Sequence, residues 1–135
     1  MDIELNLLSA RIIEAAINVH SELGPGLLET VYKTCMLIEL RRLDLETKSE
    51  VPLPVMYRGE KVADEGFRLD LVVNDKIILE LKSVEIIQPI HKKQLLTYLR
   101  LANKPLGLLI NFNERLLKDG ITRIIHTKSS GRVPG

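Results

Sequence analysis

Two adjacent runs hold the residues best suited to do chemistry. Asp70 lies in the run Phe67 to Val73, and Glu80 and Lys82 lie in the run Lys76 to Ser83, with Asn74-Asp75 between them. Both runs read as strands and the intervening pair as a turn. If Asn74, Asp75 and Lys76 form a three-residue loop, Val73 faces Ile77, Leu71 faces Leu79 and Leu69 faces Leu81, which makes one side wholly apolar. On the other side Val72 faces Ile78 and Asp70 faces Glu80. A two-residue loop would mix polar and apolar residues on both sides. Burial of one face selects the first register, because a one-residue slip inverts every side chain. The opposed carboxylates then stand about 4.5–5.5 Å apart at their Cβ atoms. Like charges this close repel unless a proton or a cation lies between them, and a hard divalent ion such as Mg²⁺ prefers such oxygens. Lys82, two residues after Glu80, points to the same face. A metal between two carboxylates with an ammonium beside it can bind a phosphodiester, activate water and offset transition-state charge. The same register sets Arg68 opposite Lys82, as a second phosphate ligand or as a point where the sheet splays. The competing reading of these charges is a solvated strand face.

Other candidates lie on predicted helices. His91, Gln94 and Tyr98 share one face at i, i+3 and i+7, while Leu95, Leu96 and Leu99 form the packing face. His91 also stands near the helix start. Glu29 is in the first turn of its helix, where a carboxylate favours the dipole. Tyr32, one turn on, reads as a core residue with its hydroxyl at the edge. His20 stands near the end of the first helix, placed to cap carbonyls.

These residues need elements to hold them. Leu5, Leu8, Ile12, Ala16, Val19 and Leu23 give a first helix one apolar stripe, and Gly24-Pro25-Gly26 stops it. A second helix is predicted over 27–43, with Leu28, Val31, Cys35, Ile38 and Arg42 inward. Val51, Leu53, Val55 and Tyr57 alternate as in a strand, and Pro52 and Pro54 make it an edge or interrupted strand. A turn at Arg58-Gly59-Glu60 leads to the two site strands. A helix over 90–103 precedes a buried strand over 106–112 and a last strand over 121–126. The order ααβββαββ, with a crossover helix between strands three and four, predicts an α/β (α+β mixed sheet) fold of four to five strands flanked by helices. Residues 1–126 are expected to form one domain and 127–135 a flexible tail.

The chain has 135 residues and a net charge of +1; 45% are hydrophobic and 27% charged, which excludes a disordered chain. Cys35 is the only cysteine, so there is no intrachain disulfide and no multi-cysteine zinc site, as suits a reducing cytoplasm. No apolar run reaches membrane-spanning length, and the acidic start Met-Asp-Ile-Glu is not that of a signal peptide. Residues 1–67 hold 7 basic and 12 acidic residues, and residues 68–135 hold 12 and 6, so the second half is basic. A basic half can offer phosphate contacts to nucleic acid. Gly24-Pro25-Gly26 lacks the Gly-Lys-Ser/Thr of a nucleotide-binding loop.

The run Gly26-Leu27-Leu28-Glu29-Thr30-Val31-Tyr32 resembles the pattern that names the GxxExxY proteins. Val19 to Pro25, Arg68-Leu69-Asp70-Leu71, Glu80 to Glu85 and Leu106 to Phe112 are similar to that family as well, in the same order. The family is placed in the PD-(D/E)XK nuclease superfamily. The resemblance implies a restriction-endonuclease-like core of helix, three-stranded meander, helix and strand. It implies that Asp70 and Glu80, with the carbonyl of Leu81, hold Mg²⁺ or Mn²⁺, that Lys82 positions or activates water, and that Glu29 completes the catalytic set. Gln94 and Tyr98 match a Gln-x-x-x-Tyr helix motif that supports the site or contacts DNA. Arg68, His91, Tyr32 and His20 stand as further supporting or contact residues. Leu69 replaces the proline that precedes the metal-binding Asp. The expected function is a metal-dependent nuclease acting on nucleic acid, DNA first, as a monomer or homodimer and with no membrane partner. The alternative is an inactive nucleic-acid-binding or protein-interaction module that keeps the fold.

Overall fold

The computed structural model describes residues 2–127. Their elements run α1 (Ile3–Leu23), α2 (Glu29–Arg42), β1 (Thr47–Tyr57), β2 (Glu60–Val73), β3 (Ile77–Lys82), α3 (Pro89–Ala102), β4 (Leu106–Asn111), a 3-10 turn (Leu117–Gly120) and β5 (Ile121–Ile125). The strands form one sheet in the order β1-β2-β3-β4-β5. Only β3 and β4 are parallel, joined through α3; the other neighbours are antiparallel. Element order and mixed sheet agree with the sequence reading. The proposed tail lies outside the described residues from position 128 on.

Local chemistry accounts for the punctuation. Asp2 caps α1, its carboxylate accepting the N–H groups of Glu4 and Leu5. Arg58 and Gly59 both have positive φ, which gives β1–β2 a tight turn with Tyr57 opposite Glu60. That hairpin is continuous, so β2 starts at Glu60, not at the predicted Phe67. Asn74 and Asp75 also have positive φ, and Lys76 N–H closes the turn on the Val73 carbonyl. The three-residue loop follows, with Val73↔Ile77, Val72↔Ile78 and Leu71↔Leu79 paired as predicted.

Two apolar layers sandwich the sheet. Helices α1 and α2 cover one face, over Leu71, Val73, Ile77, Leu79, Leu81 and Phe112. Helix α3 covers the other, over Leu53, Leu69, Val72, Ile78 and Leu109. It comes down closely on β4 because Gly107 has no side chain; a Cβ there would lie 2.8 Å from Leu95 Cδ1. Among the described residues no helix is long and apolar enough to cross a membrane.

Two packing expectations need correction. The buried side of α2 is Tyr32, Met36 and Leu40. Leu28, Val31, Ile38 and Arg42 are exposed and Cys35 is half-buried. The helix carries two apolar rows about 100° apart, and periodicity alone does not choose between them. Leu69 also departs from its predicted partner Leu81, since it packs with Val72 and Tyr98 under α3 while Leu71 packs under α1 and α2. The alternation of β2 therefore breaks at Asp70, across from Glu50, which sits at φ 51°.

Candidate functional site

The β2–β3 ladder ends at Leu71↔Leu79, and the carboxylates occupy the gap where it would have continued. Glu80 Oε2 accepts the Asp70 N–H at 3.1 Å, and Asp70 Oδ2 accepts the Leu81 N–H at 2.8 Å. Each acid thus holds the other's strand in place of the lost backbone bonds. These two side-chain bonds engage Oδ2 of Asp70 and Oε2 of Glu80. The carbonyl of Lys82 accepts the Phe112 N–H from the β4 side. By alternation Leu81 turns its own N–H and carbonyl toward β2, into the gap. The expected Arg68–Lys82 pair is not part of the β2–β3 ladder, which stops at Leu71↔Leu79.

Charge in this gap is costly. Glu80 is only 8% exposed. Burial, and then the negative charge of Asp70, push its carboxyl up to about 8. Burial also raises Asp70, against the Leu81 N–H and the positive charges of Lys33 and Lys82. Burial and mutual repulsion thus both favour the protonated form within the pair. Burial raises the Tyr98 hydroxyl on α3, with the negative charges of Glu80 and Asp70 as smaller causes. Its ring lies 5.0 Å from that of Phe67.

Around the pair the other predicted residues take distinct places. Lys82 is half-buried and acts electrostatically on both acids. Glu29 Oε2 accepts the N–H of Ser83 at 3.3 Å, the residue after Lys82. It does not join Asp70 and Glu80 in one ligand cluster, since no three His, Cys, Asp or Glu among the described residues stand together as a metal site. Tyr32 is fully buried and stacked on Phe112 at 4.4 Å. Its hydroxyl donates to the Gly24 carbonyl at 2.6 Å and accepts the Leu27 N–H at 3.1 Å. It therefore positions the 24–28 turn without reaching solvent. His20 is buried, with Nε2 2.7 Å from the Glu114 carbonyl, and so holds the loop after β4, not the end of its own helix. His91 accepts the Gln88 N–H on Nδ1 at 3.0 Å, capping α3. Gln94 is exposed, four residues before Tyr98 on the same side of α3.

Four residues that sequence reasoning did not single out for the site belong to its frame. Lys33 pairs with Glu50, and both act on Asp70 through their charges. Nothing in the sequence marks them off from other surface charges. Ser83 Oγ donates to the Leu27 carbonyl at 2.6 Å, tying the end of β3 to the 24–28 turn. Fully buried Asn111 clamps the same segment, donating to the Val84 carbonyl at 2.8 Å and accepting its N–H at 3.1 Å. The signal for Asn111 is a polar residue ending an otherwise apolar strand.

The donor set fits a hard divalent cation. Two carboxylates stand together, a carbonyl faces the same gap, and a dication would relieve their repulsion. A model of the PD-(D/E)XK nuclease superfamily matches residues 6–124. The chain belongs to that superfamily. No curated protein and no solved structure matches it significantly. The superfamily's nucleases generally use divalent metal ions on nucleic-acid substrates.

Proposed function

We propose that this chain is a nuclease of the GxxExxY type that hydrolyses phosphodiester bonds in DNA, in the cytoplasm, with Mg²⁺ or Mn²⁺. The observation that carries the reading is the paired Asp70 and Glu80 carboxylates in the open end of the β2–β3 ladder, with Lys82 two residues along the strand. Asp70, Glu80 and the Leu81 carbonyl hold the ion, which when bound would offset charge on the scissile phosphate. Lys82 orients the attacking water and adds positive charge where the transition state gains negative charge. Glu29 fixes Ser83 and through it the end of β3. Tyr98 and Gln94 support Glu80 from α3 and reach the substrate, while Arg68 and His91 border the approach. Tyr32 and His20 hold the loops beneath.

The test is cleavage of a panel of linear and circular duplex, single-stranded DNA, branched DNA and RNA, with Mg²⁺ or Mn²⁺. Wild type should cut and Glu80→Ala should not. Lys82→Ala should lose cleavage and keep metal binding, and cutting that survives it would sink the role given to Lys82. A folded wild type that binds nucleic acid and cuts nothing would replace this reading with that of a binding module.

A further inference from the structure

A cleft of about 360 Å³ lies at the end of β3, lined by Leu27, Leu28, Glu29, Thr30 and Ser83, the residue that follows Lys82. Its two leucines are 39% and 73% exposed. Scattered apolar residues on a surface carry no message. These two are different because the turn that presents them is tied down. The Leu27 N–H is held by Tyr32 and its carbonyl by Ser83. Gly24 and Gly26, both at positive φ, set the turn's path. The leucines are thus held in water by hydrogen bonds that also fix the end of β3, next to Lys82 and Glu29.

We propose that Leu27 and Leu28 form an apolar platform for the nucleobase next to the scissile phosphate. The preferred substrate is then a nucleotide already out of the stack: single-stranded DNA, a frayed end or a branch point. This rests on the nuclease reading and names its substrate class. A base has an apolar face and a polar edge, and the cleft has two leucines with Glu29, Thr30 and Ser83 at its rim. Apolar side chains such as leucine commonly receive an unstacked base. Few aromatic rings are placed to receive a base instead. The chain has no Trp, Phe112 and Tyr32 are buried, Phe67 and Tyr98 pack against each other, and Tyr57 sits at the β1–β2 turn. A protein partner is a poorer fit, since two leucines fall far short of the roughly 800 Å² that each side buries in a stable interface.

The test uses the full chain carrying Glu80→Ala, which binds without cutting. The probes are a short single-stranded DNA with 2-aminopurine along its length, and the matching blunt duplex, with Mn²⁺ and over a range of salt. Leu28→Ala should weaken single-strand binding roughly three- to tenfold, by the same factor at every salt concentration, because an apolar contact releases no counterions. It should remove the 2-aminopurine response, whereas Leu28→Met should keep both. Duplex binding should change less. An unchanged 2-aminopurine response and affinity in Leu28→Ala would overturn the platform and leave the nuclease reading intact. So would sedimentation showing that the leucines join two copies of the chain. A parent that binds no nucleic acid would overturn both.

Discussion

The two ends of the β2–β3 pair are built on opposite principles. At the turn, Leu71, Val72 and Val73 meet Leu79, Ile78 and Ile77 in a regular ladder, each residue almost wholly buried. Asn74 secures the turn by exchanging hydrogen bonds with the Glu46 backbone. Three residues further, the ladder stops and two acids share the gap. One end gains stability from apolar burial and paired backbone. The other gives stability up to hold charge in a fixed, partly dry place. The chain can keep such a site because the strands carrying it are anchored at the neighbouring end.

The sharpest way to test this contrast is to exchange damage between the ends. Glu80→Ala should bring cleavage below detection while the protein still unfolds cooperatively, with only a small change of midpoint in metal-free buffer, because relief of the buried repulsion opposes the loss of the bond to the Asp70 N–H. Leu79→Ala, one residue away, should do the reverse. It should cost about 2–5 kcal/mol in chemical denaturation, through lost burial and a cavity, and leave cleavage by the remaining folded protein near normal. If the two variants behaved alike, the division between the ends would be wrong.

The pH dependence sharpens the same point. Folded Glu80 keeps its proton up to about 8, whereas its ordinary value is 4.5. Between those values the folded state binds more protons than the unfolded one. Metal-free stability should therefore be greatest at the acid end of this window and fall as pH rises through it. Thermal melts at pH 5.5 and 8.5 would show the drop, and Glu80→Gln should remove most of it. Mn²⁺ should raise the midpoint more at pH 8.5, where it no longer competes with the proton.

Smaller effects lie further out. Tyr32→Phe should cost about 1–3 kcal/mol, since the Gly24 carbonyl and the Leu27 N–H both lose their partner, and should slow cleavage by loosening the 24–28 turn. At the far end of the hairpin, Lys104 pairs with exposed Asp75 and lowers its carboxyl. Lys104→Ala should leave both midpoint and cleavage unchanged, because water screens that pair.

Much of this was open to reading from the chain. Periodicity found α1 and the strands, and Asn74-Asp75 set the register that brings Asp70 opposite Glu80. The row of α2 that would be buried was not readable, because Val31-Cys35-Ile38 and Tyr32-Met36-Leu40 are equally apolar and only the surface beneath the helix decides. Leu69 was misplaced because alternation assumes a regular strand, and the break lies opposite Glu50 on another strand.

Residue types and short spacings, then, determined the elements, their order and the identity of the paired acids, since turns, helical stripes and strand alternation are local. Tertiary structure alone decided that the ladder opens at the acids, that Lys33 and Glu50 stand near them, that Glu29 braces Ser83 without joining the pair, and that Tyr32 serves as a post beneath the turn. Each of those depends on packing between residues far apart in the chain, where burial sets the cost of charge and a neighbouring element supplies the partner.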